Sequence, residues 1–269
     1  MSAPLSPAPG PGGPRAARAR SFNDAALLYA ANRPSYPAAL LDAVEELAGR
    51  PLAGARVADV GAGTGISTAL LHERGADVLA VEPGQGMAAQ FRSGHPGIPV
   101  VRGDGNALPL ADASLDLLTY AQSWHWTDPA RSVPEALRVL RPGGALALWW
   151  NREDLDVEWI AEAARRAARF AGVDAAAERK ALRTELADPS GELAFAHREV
   201  RWCRRVPLDT HLANISSHSV FLIAPEERRA AFLAEERAHL LALFPDGVIE
   251  ECYDVLLLVA VKPETAPAP

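Results

Sequence analysis

Residues 59–65, "DVGAGTG", decide the fold of this chain. They separate a short apolar segment, "ARVADVG" (55–61), from a segment with helical spacing, "ISTALLHERG" (66–75). Glycines between a strand and a helix let backbone N–H groups approach a ligand, and the N-terminus of the helix adds positive potential. The alternative is that these are ordinary turn glycines. We predict a strand, a ligand-binding loop and a helix, in that order.

Two acidic residues accompany the loop. Asp59 precedes the glycines, and Glu82 ends the next apolar segment, "ADVLAVEP" (76–83), which places it 82 − 61 = 21 residues after Gly61. A carboxylate at this spacing can accept hydrogen bonds from both hydroxyls of a ribose. The dinucleotide fingerprint needs a further glycine at position 66, where this chain has Ile66, so an NAD-dependent dehydrogenase fits poorly. The pattern predicts a cofactor that contains a nucleoside.

Apolar segments alternate with helical ones through the first half of the chain. Strands are predicted at 55–61, 76–83, 98–104, 115–122 and 145–151, helices at 38–48, 66–75, 86–93 and 130–140, and a turn, "RPGG", at 141–144. This alternation is typical of βαβ units, which form a parallel sheet with helices on both faces. Later, 156–188 and 208–243 have helical patterns, and 198–206 and 248–261 have strand patterns. We expect the late helices to cap the open end of the sheet and the two late strands to complete it.

Composition limits the classes of function. The chain has 269 residues and a net charge of -7, which argues against a general nucleic-acid binder. Residues 1–20, rich in Pro, Ala and Gly, predict a disordered tail without a secretory signal, and no stretch is apolar enough to span a membrane. Cys203 and Cys252 are too few for a zinc site of the CxxC type and do not suggest a disulfide framework. The simplest compartment is a reducing cytoplasm.

Several segments together resemble the class I S-adenosylmethionine-dependent methyltransferases. The similar segments are "VADVGAGTG" (57–65), "VEPG" (81–84), "GDGNALPL" (103–110), "LDLLTYAQSWHW" (115–126) and "LRVLRPGGALAL" (137–148). The opening "RPSYP" (33–37) is similar to the trans-aconitate methyltransferase-like branch, which includes many bacterial "type 11" enzymes. The likeness implies an α/β, Rossmann-like, doubly wound sheet of seven strands, mostly parallel with one antiparallel strand, plus a helical substrate cap. It also implies N-terminal lid helices at 21–54, a cofactor-binding core at 55–151, and the cap with the last two strands at 152–269.

The resemblance implies S-adenosylmethionine as cofactor, with S-adenosylhomocysteine as its product. Asp59 and the loop would hold the methionine part, Glu82 the ribose hydroxyls, Asp104 the adenine amino group, and Arg33 the cofactor carboxylate. The cofactor-binding positions carried over are Tyr29, Arg33, Asp59, Gly61, Ala62, Gly63, Thr64, Gly65, Glu82, Pro83, Met87, Asp104, Gly105, Gln122 and Trp126. No metal is predicted, because the sequence shows no ligand cluster that would hold one.

The segment "YAQSWHWTD" (120–128) follows the fourth strand and should border the ligand crevice. His125 is the candidate catalytic residue, either as a general base or, as we favour, as a residue that positions the cofactor or the cap. A buried corner of the core is the alternative for the tryptophans. The substrate positions that we predict are Trp124, His125, Trp149, Ser217 and His218. Capping or solvent exposure would explain the serine and the second histidine equally well.

These patterns and the resemblance lead us to expect a methyltransferase acting on a small molecule, such as a secondary metabolite or a carboxylate. The methyl group would pass by in-line SN2 transfer to an O, N or C atom. A macromolecular acceptor fits less well, given the acidic charge. Two alternatives stay open: non-methylating chemistry on the same fold, and a regulatory module that senses the cofactor for a partner protein.

Overall fold

The computed structural model describes residues 32–172, residue 188 and residues 190–264. The predicted tail at 1–20, Tyr29 and the start of the lid segment at 21–31 lie outside the described residues. Within this part of the chain, no helix is long and apolar enough to cross a membrane.

The strands form one sheet of seven, in the order β3-β2-β1-β4-β5-β7-β6. Strand β7 runs antiparallel to both of its neighbours, and the pairings among β1 to β5 are parallel, so the predicted fold class is confirmed. The strands are β1 (Arg56–Val60), β2 (Asp77–Val81), β3 (Val100–Val101), β4 (Leu115–Ala121), β5 (Leu140–Glu153), β6 (Ala196–Pro207) and β7 (Val248–Val261). The helices are α1 (Ala38–Ala48), α2 (Ile66–Glu73), α3 (Gln85–Gly94), α4 (Pro129–Val139), α5 (Glu158–Ala171), α6 (Leu208–Ser216), α7 (Ser219–Leu222) and α8 (Glu226–Leu243).

Each face of the sheet carries its own apolar core. Alternate residues of a strand point to opposite faces, so neighbouring side chains of β1 belong to different cores. Val57 packs with α1 and Trp149 on one face, whereas Ala58 packs with α4 and Trp150 on the other. Helix α1 ends at Gly49, whose φ of 65° is the left-handed conformation that glycine adopts at helix ends. The helices thus fix the strands from both sides and leave the strand ends for a site.

The predicted turn at 141–144 is wrong, because these residues lie within β5. The strand begins at Leu140, and its register with β4 shifts between Leu115 and Leu117. Gly143 has a φ of 71°, and its N–H donates to the carbonyl of Lys262 just beyond β7. Pairing with the C-terminal strand therefore holds the glycines inside the sheet, and sequence patterns do not reveal such a long-range contact.

The expectation of two separate cysteines is also wrong. Cys203 and Cys252 lie opposite each other on β6 and β7 and form a disulfide. Neighbouring antiparallel strands bring these side chains together although they are 49 residues apart in sequence. Disulfides are rare in a reducing cytoplasm, so this bond counts against the predicted compartment, which stays a prediction.

Candidate functional site

The candidate site lies where β1, β2 and β4 end. The order of the sheet reverses between β1 and β4, and ligands of open α/β sheets bind outside the carboxyl ends of the strands at such a point. The glycine loop, residues 61–65, joins β1 to α2 at this edge. The fold thus brings the loop, the end of β2 with Glu82, and the segment after β4 to one place.

The glycine loop is packed at its two ends and open at its centre. Gly61, Gly63 and Gly65 all have positive φ. A Cβ added at Gly61 would lie 2.5 Å from Ser123 Cβ, and one at Gly65 would lie 2.6 Å from the ring of His95. At Gly63, no atom of the described residues lies within 4 Å of the place that a Cβ would take. A ligand can therefore approach the backbone closely at Gly63.

Glu82 spans the loop. It is 6% exposed, and its carboxylate accepts hydrogen bonds from Gly63 N at 2.8 Å and from Gly84 N at 2.6 Å. Burial raises the pKa of Glu82 above its usual range, and these two backbone hydrogen bonds oppose the rise. The carboxylate thus lies beside the open centre of the loop, where it can accept hydrogen bonds from ligand hydroxyls.

Thr64 adds an unused polar atom to the loop. Its hydroxyl is buried and has no hydrogen-bond partner among the residues that the structure describes. A buried hydroxyl without a partner costs about 1–3 kcal/mol, which a polar ligand atom can recover. Loop N–H groups, this hydroxyl and the Glu82 carboxylate form a donor and acceptor set that fits a nucleoside cofactor. The described residues contain no group of three or more His, Cys, Asp or Glu side chains placed to hold a metal ion.

Asp59 lies behind the loop instead of facing a ligand. Its side chain is fully buried, and its two carboxylate oxygens accept hydrogen bonds from Thr68 Oγ1 at 2.6 Å and Thr119 Oγ1 at 2.8 Å. Direct contact with the methionine part of a cofactor, as predicted, does not fit this burial. The carboxylate joins β1 to α2 and β4, so its role is to hold the loop in place.

Burial raises the pKa of Asp59 from 3.8 to about 6, although the hydroxyls of Thr68 and Thr119 oppose the rise. Because the folded state binds this proton more tightly, the stabilisation is complete below the unfolded pKa and is lost as the pH rises towards 6. We expect the difference in unfolding free energy between wild type and Asp59→Asn to change by about 2.4 kcal/mol from pH 4 to pH 7, to the disadvantage of wild type. Urea denaturation at several pH values measures it.

Asp116 provides a matched control at the opposite edge of the sheet. Although burial raises the pKa of this carboxyl, the Arg56 backbone N–H and the guanidinium groups of Arg141, Arg56 and Arg50 bring it below its usual value. The corresponding difference for Asp116→Asn should therefore change in the opposite direction. Equal pH dependence in the two variants would contradict the assignment for Asp59.

Two predicted cofactor-binding residues, Asp104 and Gly105, follow β3 and differ in their exposure to solvent. Asp104 is exposed, and its Oδ1 accepts from both the backbone and the side chain of Asn106 at 2.9 Å. Gly105 is buried, and its carbonyl accepts from Tyr120 Oη at 3.2 Å. The contacts of Asn106 and Tyr120 therefore fix this turn. Two other predicted cofactor-binding positions lie after β2, where Pro83 is exposed and Met87 is buried.

Gln122 has an unusual backbone at the end of β4. Its φ of 55° is left-handed, which is uncommon for a residue other than glycine and is often found at functional sites. Its N–H donates to Trp149 O at 2.8 Å, and its side-chain amide donates to Tyr36 Oη at 3.3 Å. Next to it, Ser123 donates to Val60 O at 2.5 Å. Gln122 thus contacts the N-terminal segment, residues 32–36, while its neighbour Ser123 holds the end of β1 beside Gly61.

The aromatic segment 124–126 forms a short 3-10 turn. Trp124 is 3% exposed and packs edge-on against Tyr120 in the core, which favours the core alternative over a pocket wall. His125 is exposed, and its Nδ1 accepts from Trp150 Nε1 at 3.3 Å. Trp126 is partly exposed beside the His125 ring. When Nδ1 of a neutral imidazole accepts, the proton lies on Nε2, so this arrangement fits a positioning residue better than a base.

The other predicted substrate residues lie on different elements. Trp149 is 1% exposed and contacts Tyr36 edge-on, on the opposite face of the sheet from Trp150. Ser217 is buried and donates to Asn214 O at 2.7 Å, so it caps α6. Capping was one of the alternatives to a substrate role for this residue. His218 follows directly. Desolvation lowers its pKa well below the usual value, and the charges of Arg33 and His211 lower it further.

The sequence did not single out a buried polar network on β6, β7 and α6. Glu251 is 2% exposed and contacts Arg204, His211 and Tyr253. One sequence feature could have indicated this network: Glu251 is an acidic residue in the apolar final strand at 248–261, at a position where the alternation predicts burial. His211 had no sequence neighbours that pointed to a function, because its partner lies 40 residues away.

Three comparisons place this geometry among known proteins. A family model described as "Methyltransferase domain" matches residues 58–148. An uncharacterised methyltransferase of Mycobacterium tuberculosis is 36% identical over 225 residues, which cover 84% of this chain and 87% of that protein. The malonyl-[acyl-carrier protein] O-methyltransferase of Methylococcus capsulatus is 37% identical over 179 residues, 62% of each chain. A solved structure described as a type II methyltransferase from Anaeromyxobacter dehalogenans has a TM-score of 0.64 and 26% identity, and covers 87% of this chain and 99% of that one.

Proposed function

This chain belongs to the class I methyltransferases, and from that premise we propose that it transfers a methyl group from S-adenosylmethionine to a small molecule. The observation that carries the proposal is the glycine loop, open at Gly63 with the Glu82 carboxylate beside it. Bound S-adenosylmethionine supplies an electrophilic methyl group on its sulfonium. The protein therefore has to hold the cofactor, align an acceptor and exclude water.

The chain has residues suited to each part of the cofactor. Glu82 accepts from the ribose hydroxyls, the backbone at 61–65 and the Thr64 hydroxyl take the methionine part, and Asp104 takes the adenine amino group. Arg33, in the N-terminal segment, offers a guanidinium for the cofactor carboxylate. Asp59 supports the loop from behind. The binding role of each of these residues is part of the proposal.

The acceptor site is proposed to lie between the N-terminal segment and the C-terminal helices α5–α8, which act as the substrate cap. Ends of β4 and β5 form its floor, since Gln122 and Trp149 both contact Tyr36 there. The relative from Methylococcus capsulatus is an O-methyltransferase by name, which supports oxygen as the atom methylated. The branch suggested by "RPSYP" and the choice between a metabolite and a carboxylate stay predictions.

Titration calorimetry with S-adenosylmethionine tests the cofactor part directly. We expect binding with one site per chain, and formation of S-adenosylhomocysteine with a suitable small-molecule acceptor. Circular dichroism on the same sample serves as a control that the protein is folded. A folded protein that binds no cofactor would refute the proposal. Binding that promotes association with a partner protein, without turnover, would instead favour the regulatory-module alternative.

A further inference from the structure

The buried network around Glu251 fixes the charge of that carboxylate. Oε2 accepts from Arg204 Nε at 2.6 Å and from Tyr253 Oη at 2.9 Å, and Oε1 lies 2.6 Å from His211 Nδ1. Burial alone would raise the pKa of Glu251, but the hydrogen bonds and charges of His211 and Arg204 bring it below its usual value. Glu251 is therefore ionised at neutral pH.

An ionised carboxylate only accepts hydrogen bonds, and this decides the tautomer of His211. Its Nδ1 must carry the proton that points to Glu251, so in the neutral ring Nε2 bears a lone pair. A carboxylate that orients an imidazole in this way is the arrangement that makes histidine a general base. His125 has the opposite arrangement, because its Nδ1 accepts a hydrogen bond from Trp150.

Two buried acceptors in this network have no partner. His211 Nε2 and Asn214 Oδ1 are both buried without a hydrogen-bond partner among the described residues. The two side chains lie on successive turns of α6, three residues apart, and therefore on the same side of the helix. Two acceptors without a donor call for a ligand that brings O–H or N–H groups.

Position connects this network with the cofactor site. Tyr253 pairs with Glu153 at the carboxyl end of β5, and Glu251 lies two residues further along, where β7 pairs only with β6. The carboxylate therefore lies past the carboxyl end of β5, at the end of the sheet where the glycine loop follows β1. Arg204 also donates to Asn32 O at 3.2 Å, which ties the network to the N-terminal segment. That segment contacts Gln122 through Tyr36. A continuous series of contacts thus joins the glycine loop to His211.

We propose that His211 is the general base of the reaction, that Glu251 positions it, and that the acceptor is a neutral small molecule with a hydroxyl group. The inference rests on the proposed function. The acceptor oxygen forms a bond to the methyl carbon while the electron pair of the carbon–sulfur bond goes to sulfur, and the hydroxyl proton passes to His211 Nε2. The resulting imidazolium is stabilised by the Glu251 carboxylate. A carboxylate acceptor needs no such base.

Nitrogen NMR of the full chain, with labelled histidine and without cofactor, reads the tautomer directly. We expect His211, assigned through its contact with the Trp159 ring, to carry its proton on Nδ1 and a lone pair on Nε2. Adding phenol as a hydroxyl probe should shift the Nε2 resonance. In Glu251→Gln, the Nδ1–H group should lose its hydrogen bond to a charged acceptor. A proton on Nε2, or a resonance that phenol leaves unchanged, would overturn the proposal even if S-adenosylmethionine binds.

Turnover gives the second test. With a panel of phenols and alcohols, kcat of His211→Gln should fall by about 100-fold or more, the usual contribution of a general base, while its affinity for S-adenosylmethionine stays within about threefold of wild type. His239→Gln, on the exposed side of α8, is the matched control. Full kcat in His211→Gln, or methylation of carboxylates alone, would refute the base.

Discussion

Replacing Glu82 with alanine is expected to weaken the binding of S-adenosylmethionine by about 100-fold or more. Glu82 would accept two hydrogen bonds from the ribose, and hydrogen bonds to a charged group contribute about 1.5–3 kcal/mol each. A loss of about 2.7 kcal/mol already corresponds to 100-fold in affinity. The carboxylate also lies beside Gly63, so its removal changes the open centre of the loop. Calorimetric titration of the variant measures the loss.

Two further variants separate binding from stability. Glu82→Gln keeps one oxygen acceptor and the volume of the side chain, so we expect an intermediate affinity. Glu45→Ala removes a carboxylate of α1 that pairs with Arg74 outside the glycine loop, and its affinity should equal that of wild type. Because burial raises the pKa of Glu82, affinity should also fall as the pH is lowered and the carboxylate takes up a proton. Unchanged affinity in Glu82→Ala would refute the ribose role.

Local signals in the sequence predict most of the sheet. Apolar segments with turn residues at both ends located β1, β2, β4 and β7, because burial on both faces demands a continuous apolar run. The failures have one physical cause, which is pairing between distant parts of the chain. Gly143 looks like a turn residue until Lys262 pairs with it, and Cys203 looks isolated until β6 lies beside β7.

In the candidate site, too, contacts within one βαβ unit were predictable and contacts between distant parts of the chain were not. The glycine loop and Glu82 follow one another within a βαβ unit, so their spacing predicted their meeting in space. Nothing local could predict that the Asp59 carboxylate would be taken up by Thr68 and Thr119, since one partner is 60 residues away. The pair of His211 and Glu251 likewise depends on α6 packing against β7. Sequence patterns thus located the loop and Glu82, which we propose to bind the cofactor, and missed His211 and Glu251, which we propose to act on the acceptor.

A pair of glycine substitutions should separate the structural part of the loop from its binding part. In Gly61→Ala the new methyl group would lie 2.5 Å from Ser123 Cβ, at a residue with a φ of 67°. The left-handed backbone alone costs about 1–2 kcal/mol, and the overlap adds about 1–3 kcal/mol. In Gly63→Ala the φ of 59° brings the same backbone cost, but the methyl group enters open space.

We therefore expect Gly61→Ala to lose more unfolding free energy than Gly63→Ala, by about 1–3 kcal/mol in urea denaturation. Gly63→Ala should remain folded and lose about tenfold or more in affinity for S-adenosylmethionine, since its methyl group occupies the space through which the ligand reaches the backbone. Gly172→Ala is the matched control, because Gly172 has a φ of 68°, no atom of the described residues lies within 4 Å of the place of its Cβ, and it follows α5 instead of belonging to the loop. This variant should bind normally. Normal affinity in Gly63→Ala would mean that the cofactor does not approach the loop at its open centre.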